Sequence, residues 1–420
     1  MSSKGAAGSG SRVASEAPGA RGRITRYSTP LPDDPIEEHT IRLARVDALH
    51  WLGRSDMALA ELGTLQSLEA SLGEAIPATA RAETLRRLAD CLQGRGEYTE
   101  AERVARVCIE VAETAGQAAT AVRARARLAG VLIVLARTSE ARSEVERALA
   151  DAERLGDPAA LGHALVAGAS LSSCLGRPAD AMAAYRRARA AFDAAGNLVL
   201  AAHASMNVGA VLLALGDFEA ARPSLEQTAS QARALGLLRV EGWSLQNLGL
   251  ALARLGDVPA GLAALDRARE IATSMDEPRL AAAALMYRSI VGREADLERA
   301  MRDAEEAVAF STAARLETLE PQCRMARAAA YLEGGRFAEA LADVDQALAG
   351  RAEELAVEES EIELLVLRSR ALDGLGRHPE AKRALDAARS RFEEESSRID
   401  DAHLRRTFRE NHPHHASLVR

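Results

Sequence analysis

The sequence predicts an all-α solenoid of about nine stacked helical hairpins, and three observations carry that prediction. Residues 206–221 and 246–261 align without a gap at an offset of forty. Asn207 falls on Asn247, Gly209 on Gly249, Leu212 on Leu252, and Leu215-Gly216-Asp217 on Leu255-Gly256-Asp257. The small residue that opens the second helix of each hairpin (helix B) recurs at Ala58, Ala101, Ala141, Ala181, Ala221, Gly261, Ala300, Ala340 and Ala381, in steps of 43, 40, 40, 40, 40, 39, 40 and 41. A turn residue five places earlier keeps the same beat at Gly53, Gly96, Ala136, Gly176, Gly216, Gly256, Ala295, Gly335 and Gly376. Columns that share one period mark stacked supersecondary units, each unable to bury both of its faces alone.

Within a unit, Val208, Gly209, Leu212 and Leu215 recur at helical spacing on the first helix (helix A), so the glycine lies on the buried stripe. A mid-helix glycine costs about 1 kcal/mol against alanine, and close approach of a second helix is the compensation expected. The same column reads Val46, Ala89, Ala129, Ala169, Gly209, Gly249, then no clean match, Ala328 and Ser369. Leu-Gly-Asp ends the helix: Gly216 suits a left-handed C-cap, and Asp217 can cap the helix that follows. Ala221 and Leu225 then face inward on helix B.

Composition fits closely packed helices. Apolar residues make up 48 % of the chain but aromatics only 3 %, so the core is built of Ala, Leu and Val. Cys91, Cys108, Cys174 and Cys323 lack metal or redox spacing and read as buried free thiols of a reducing compartment. No apolar run approaches a membrane span and no hydrophobic leader opens the chain, so a cytoplasmic location with no membrane contact is expected.

In chain order, residues 1–35 are Ser, Gly, Ala, Arg and Pro without periodicity, a disordered basic tail. Residues 1–32 carry +4 and the whole chain −8, so the remainder carries −12. The repeat array is expected over 36–390. Its first unit has Val46 at a small-residue place and precedes the 43-residue step, the mark of a looser capping unit. Unit seven departs most, with an early Gly292 and with Arg288 at the close-contact place, so its helix A should be shortened or shifted. Residues 391–411 are expected to supply a C-terminal capping helix. Its acids Asp400 and Asp401 precede Arg405, Arg406 and Arg409 as a helix dipole favours, and Ile399, Leu404 and Phe408 would cover the last repeat. Residues 412–420 are expected to be a disordered tail, with His412, His414 and His415 frayed rather than metal-bound.

The small residue in helix A, the glycine turn and the alanine opening helix B resemble the tetratricopeptide repeat. The unit is similar to the long-helix variety in kinesin light chains and bacterial signalling proteins. That resemblance implies a right-handed superhelix whose A helices line a concave groove. Mapped by register, the groove takes Glu83, Arg86 and Asp90 from the second unit and His163, Val166 and Ser170 from the fourth. The fifth contributes His203, Met206 and Ala210; the sixth Trp243, Gln246, Leu250 and Arg254; the eighth Gln322, Met325 and Ala329. Asn207 and Asn247 stand where peptide-binding members carry an asparagine that holds the ligand backbone. A carboxamide donates and accepts at once, so it can pair with any peptide group. Their alternative role is hydrogen bonding between neighbouring helices.

No phosphate loop, nucleophile elbow, zinc-protease helix or dinucleotide fingerprint occurs, so neither a catalytic site nor a cofactor or metal is expected. The acidic residues Glu353, Glu354, Glu358, Glu359, Glu361 and Glu363 read as a solvated helix face. The acidic array opposes nucleic-acid binding, which needs a basic surface. The sequence therefore predicts a non-catalytic scaffold that takes a protein or peptide partner in its groove, centred on units four to six. The alternative is a regulatory sensor acting on a separately encoded kinase, ATPase or transcription factor.

Overall fold

A computed structural model describes residues 34–52, 54–349 and 358–419. Among them are twenty α-helices and no strand. Eighteen helices form nine hairpins in chain order. They are α1–α2 (Pro35–Trp51, Ser55–Leu72), α3–α4 (Ala78–Gly94, Tyr98–Thr114), α5–α6 (Ala118–Val134, Thr138–Leu155), α7–α8 (Pro158–Cys174, Pro178–Ala194) and α9–α10 (Leu198–Ala214, Phe218–Ala234). The series continues with α11–α12 (Leu238–Arg254, Val258–Met275), α13–α14 (Pro278–Gly292, Leu297–Ala313), α15–α16 (Glu320–Glu333, Phe337–Ala349) and α17–α18 (Glu358–Gly374, His378–Ser397). Two short helices follow, α19 (Ala402–Glu410) and α20 (Pro413–Val419). Each helix packs on its chain neighbours, and most successive A helices pack on each other, so the core passes from unit to unit along the stack.

The marker columns have the physical roles expected of them. The alanines opening helix B, among them Ala101, Ala141, Ala181 and Ala221, are fully buried. A Cβ on Gly209 would stand 2.4 Å from Leu225 Cδ2, and one on Gly249 would stand 2.8 Å from the Gly261 carbonyl oxygen. Glycine there is what lets helices A and B cross so closely. Gly216 ends α9 at φ +70°, and Ala136 takes the same left-handed conformation at φ +61°, whereas Ala295, the other alanine of that column, does not. Asp217 and Asp257 then accept from the backbone N–H of Ala220 and Ala260, capping α10 and α12. Gly53, the first turn residue of the series, lies outside the described residues, as do residues 1–33 of the N-terminal segment.

The irregular units have physical causes. The 43-residue step holds a short 3-10 turn, Gly73–Ala75, between the first two hairpins. In unit seven, α13 is two residues shorter than the usual 17, and Arg288 is 4 % exposed, paired with Asp266 at 3.1 Å and Asp303 at 3.5 Å. Gly261 faces Gly249 at a tight crossing. Cys91, Cys108 and Cys323 are buried thiols, each pushed up to about 12 by burial, and Cys174 is half-buried. No described helix is long and apolar enough to cross a membrane.

The two ends of the array correct the sequence expectation. Asp34 caps α1, so the array begins one residue before 36, and α18 runs on to Ser397, so residues 391–397 belong to the ninth hairpin. The cap is α19 alone. Residues 413–419, expected as a loose tail, form α20, in which His415 is 4 % exposed. The cause is apolar and polar at once. Phe408 stacks on Phe392 at 6.1 Å between centroids, His415 packs on Phe408 at 4.4 Å, and the His415 Nδ1–H donates to the Phe408 carbonyl at 2.8 Å. Nor does the segment cover only the last repeat. One apolar cluster joins Ile399, Leu404, Phe408 and Leu418 to Phe392 and, across the superhelix, to Leu213, Leu215 and Phe218 of unit five.

Candidate functional site: a chamber between units five to nine

Helical register selects the inner wall. On α9 and α11 the residues at i, i+3 and i+7 from each asparagine face inward: Asn207, Ala210 and Ala214, then Asn247, Leu250 and Arg254. Tyr287 and Ile290 continue these rows on α13, and Gln322, Met325 and Ala329 supply the α15 wall. Opposite stands the C-terminal segment with Phe408, His412, His414 and Ser417. Together they bound a cavity of about 580 Å³, within the size range of small-ligand sites. The open groove expected from the sequence is here a walled chamber.

Five polar side chains of this chamber are left over by the fold. Among the described residues, the side chains of Asn207, Asn247, Arg254, Glu363 and Arg370 make no hydrogen bond or ion pair, though all five line the cavity. The hydrogen bonding between neighbouring helices that would give the two asparagines a structural role is thus absent. Burial lowers the Arg254 pKa, and Glu363 is the charge that most opposes this. Burial raises the Glu363 carboxyl, with Arg254 and Arg293 acting against it. Arg293 itself holds Glu333 at 2.6 Å. His412 and His414 are pushed down to about 3 by burial and are neutral at pH 7. Glu363 is therefore no part of a solvated face, and Glu361 pairs with Arg391 at 3.2 Å; Glu353 and Glu354 lie outside the described residues.

The inner wall of the first three units is different. Arg87 forms a bidentate pair with Asp47 at 2.7 Å on both nitrogens, and Asp90 takes Arg86 at 2.9 Å and Arg127 at 2.5 Å. Glu83 accepts from Thr120 at 2.7 Å and from Arg87 at 2.6 Å. Burial alone would raise the Glu83 carboxyl, but Arg86, Arg123 and Thr120 outweigh it and hold it at about 2. Asp90 is likewise held at about 2, burial being outweighed by Arg127 and Arg86. Here the fold uses its own charges up.

The eight residues proposed from sequence divide accordingly. Asn207, Asn247 and Arg254 come together in the chamber. Met206 and Gln246 do not: one position round the helix from the asparagines, they turn into the stack. Met206 packs with Ala232, Leu237 and Val240, and Gln246 is 2 % exposed. His203 and Trp243 lie on the inner stripe one turn before the asparagines, outside the cavity lining, with half-buried Trp243 packed against the apolar clusters of units five to seven. His163 sits edge-on to Phe192 at 5.3 Å, and burial holds it neutral at about 3, with Arg86 and Asp90 felt beside it. Sequence reasoning missed Glu363, Arg370 and the histidines of α20. Their only signal was the amphipathic run Leu404, Phe408 and Leu418, which asks for an apolar surface without saying where.

No family model matches the sequence, and no curated protein sequence matches it either. Solved structures do. The chain is similar to a Rap protein complexed with Competence and Sporulation Factor, with TM-score 0.61 and 11 % identity over 79 % of this chain and 90 % of that one. It is similar to aspartyl phosphate phosphatase F from Bacillus subtilis, with TM-score 0.53 and 11 % identity over 86 % and 95 %. A third similar structure is a signal transduction ATPase with a tetratricopeptide repeat sensor from Pyrococcus horikoshii, with TM-score 0.52 and 14 % identity, where the match covers 79 % of this chain and 51 % of that one. The chain is a helical-repeat protein whose units fold as tetratricopeptide repeats.

Proposed function

We propose that the protein is a non-catalytic interaction module that takes a peptide or a segment of another protein into the chamber between units five and nine. One observation carries this reading. Three side chains predicted to meet a ligand, Asn207, Asn247 and Arg254, line a cavity of about 580 Å³ with no protein partner, while the inner charges of units one to three are spent on each other. Unsatisfied groups at a concave surface are groups available to a ligand. Two carboxamides forty residues apart can each pair with a peptide group, for about 0.5–1.5 kcal/mol net apiece. In this reading the chain needs no cofactor, works in the cytoplasm with reduced thiols, and binds no nucleic acid, because its repeat array is acidic.

A regulatory role is favoured over a passive scaffold by the company the fold keeps. One similar structure is described as complexed with a Competence and Sporulation Factor, and another as carrying a tetratricopeptide repeat sensor. In this reading the occupied chamber signals to a separately encoded bacterial enzyme or transcription factor. Partner affinity measured with Asn207→Ala plus Asn247→Ala, and separately with Arg254→Ala, tests the site. A tenfold or greater loss in the double asparagine variant is expected, and unchanged affinity in both proteins would place the binding surface elsewhere.

A further inference from the structure

The C-terminal segment returns from the ninth unit to the fifth and holds it by its backbone. Thr407 Oγ1–H donates to the Leu215 carbonyl at 2.8 Å, Asn411 Nδ2–H to the Gly216 carbonyl at 2.8 Å, and His412 Nε2–H to the Ala214 carbonyl at 3.0 Å. His403 Nε2 meets Asp217 Oδ2 at 3.1 Å. The three carbonyls end α9, where helix termini leave acceptors free. The same segment contributes Phe408, His412, His414 and Ser417 to the chamber wall facing Asn207 and Asn247. The space left between the two walls, about 580 Å³ and partly open to solvent, is within the range of small-ligand sites.

We propose that α19 and α20 are one wall of the ligand site, so that the array encloses a short peptide acid and the ligand and the docked C-terminal helices stabilise each other. This deepens the proposed function and rests on its reading that the chamber is the binding site. The ligand class follows from what makes no direct contact. Arg254 and Arg370 are cations with no hydrogen bond or ion pair among the described residues, Arg254 feeling Glu363 only from beyond ion-pair distance, and suit a carboxylate; Glu363 suits an ammonium group; Asn207 and Asn247 suit amide bonds. Leu250, Ile290, Met325 and Phe408 supply apolar floor. A ligand touching both walls binds the closed form better than the open one, and linkage makes the effect reciprocal.

The test uses the full chain and two probes, a library of tripeptides with free C-terminal carboxylates and the same library amidated. Native mass spectrometry reads binding, and hydrogen exchange over residues 402–419 reads docking. Free-acid tripeptides are expected to bind at least tenfold more tightly than their amides and to slow exchange in α19 and α20. Thr407→Val with Asn411→Ala, neither of which lines the chamber, is expected to weaken binding tenfold or more. The exchange measurement on the unaltered chain needs no variant to fold. Faster exchange on binding would show that α20 is displaced by the ligand and would overturn the proposal, as would equal binding of the amides or binding by neither library. If tripeptides fail while a protein partner still binds through Asn207 and Asn247, only the enclosure is lost. If nothing depends on those asparagines, the chamber itself is not the site.

Discussion

Thr407 donates its hydroxyl proton to the backbone carbonyl of Leu215, a residue 192 positions earlier, and so ties the end of the chain to the middle of the array. The contact tightens at Gly216, where an added Cβ would stand 2.6 Å from the Thr407 carbonyl oxygen. Gly256 occupies the equivalent turn of the next unit with nothing within 4 Å. Both glycines have positive φ, +70° and +94°, so alanine costs about 1–2 kcal/mol of backbone strain at either. Only Gly216→Ala should also raise hydrogen exchange in residues 402–419. Equal exchange in the two variants would show that the C-terminal helices do not rest on this turn.

Docking of α20 should depend on pH in a defined window. Burial holds His412 at about 3 and His415 at about 4, whereas the undocked side chains return to about 6.5. The undocked form therefore binds more protons between about pH 6.5 and 4, so docking is fully favoured above 6.5 and weakens as the pH falls. Glu395, raised to about 7 by burial against the pull of Arg391, acts in the opposite sense but belongs to α18. Limited trypsin digestion at Arg405 and Arg406 should speed up between pH 7 and 5, and His412→Gln, which keeps a donor for Ala214, should flatten that response.

The ion network of units one to three should give way at lower pH than the C-terminal docking. Glu83 and Asp90, both held at about 2, contribute stability that is present above their ordinary values of 4.5 and 3.8 and is lost as the pH falls toward 2. Residue-resolved exchange at pH 5 is expected to find α20 open and α3 still protected. The reverse order would contradict the assignment of charges.

Removing the chamber's amides should not destabilise the fold. Asn207 and Asn247 hold no partner, and alanine is the better helix former by about 0.5 kcal/mol, so Asn207→Ala and Asn247→Ala should leave the melting temperature unchanged or slightly higher. A loss of more than about 1 kcal/mol at either site would mean that the asparagine is structural.

Two glycines test the close-crossing argument. Gly63 lies within α2 with nothing within 4 Å of an added Cβ, so Gly63→Ala should stabilise by about 0.5–1 kcal/mol. At Gly249 the Cβ would meet Leu265 at 2.6 Å and the Gly261 carbonyl oxygen at 2.8 Å. Overpacking of this kind costs about 1–3 kcal/mol and outweighs the helical gain, so Gly249→Ala should lower stability in a denaturant titration.

Much of this molecule is legible in its sequence because its order is local and repeated. Gly209, Gly216, Asp217 and Ala221 each announce a backbone need that neighbours within one hairpin satisfy, and the forty-residue beat copies that solution along the chain. A second beat went unread: Gly116, Gly156, Gly196 and Gly236, all at positive φ, end the B helices as Gly216 and Gly256 end the A helices. The inner wall was half legible. Asn207, Asn247 and Arg254 follow from register, but Met206 and Gln246 lie one position round the helix, a difference of orientation that spacing alone leaves open. What the sequence withheld is the return of α19 and α20 to unit five, because the curvature that brings Leu215 beside Thr407 accumulates over many units and is written in no single one of them.

The most direct measurement places a photocrosslinking phenylalanine analogue at Leu250, on the chamber floor, and at Met57, exposed on α2, and irradiates each protein in its native host. A discrete adduct is expected at position 250, lost when Asn207 and Asn247 are both alanine, and none at position 57. An adduct confined to position 57, or one at 250 indifferent to the asparagines, would contradict binding in the chamber.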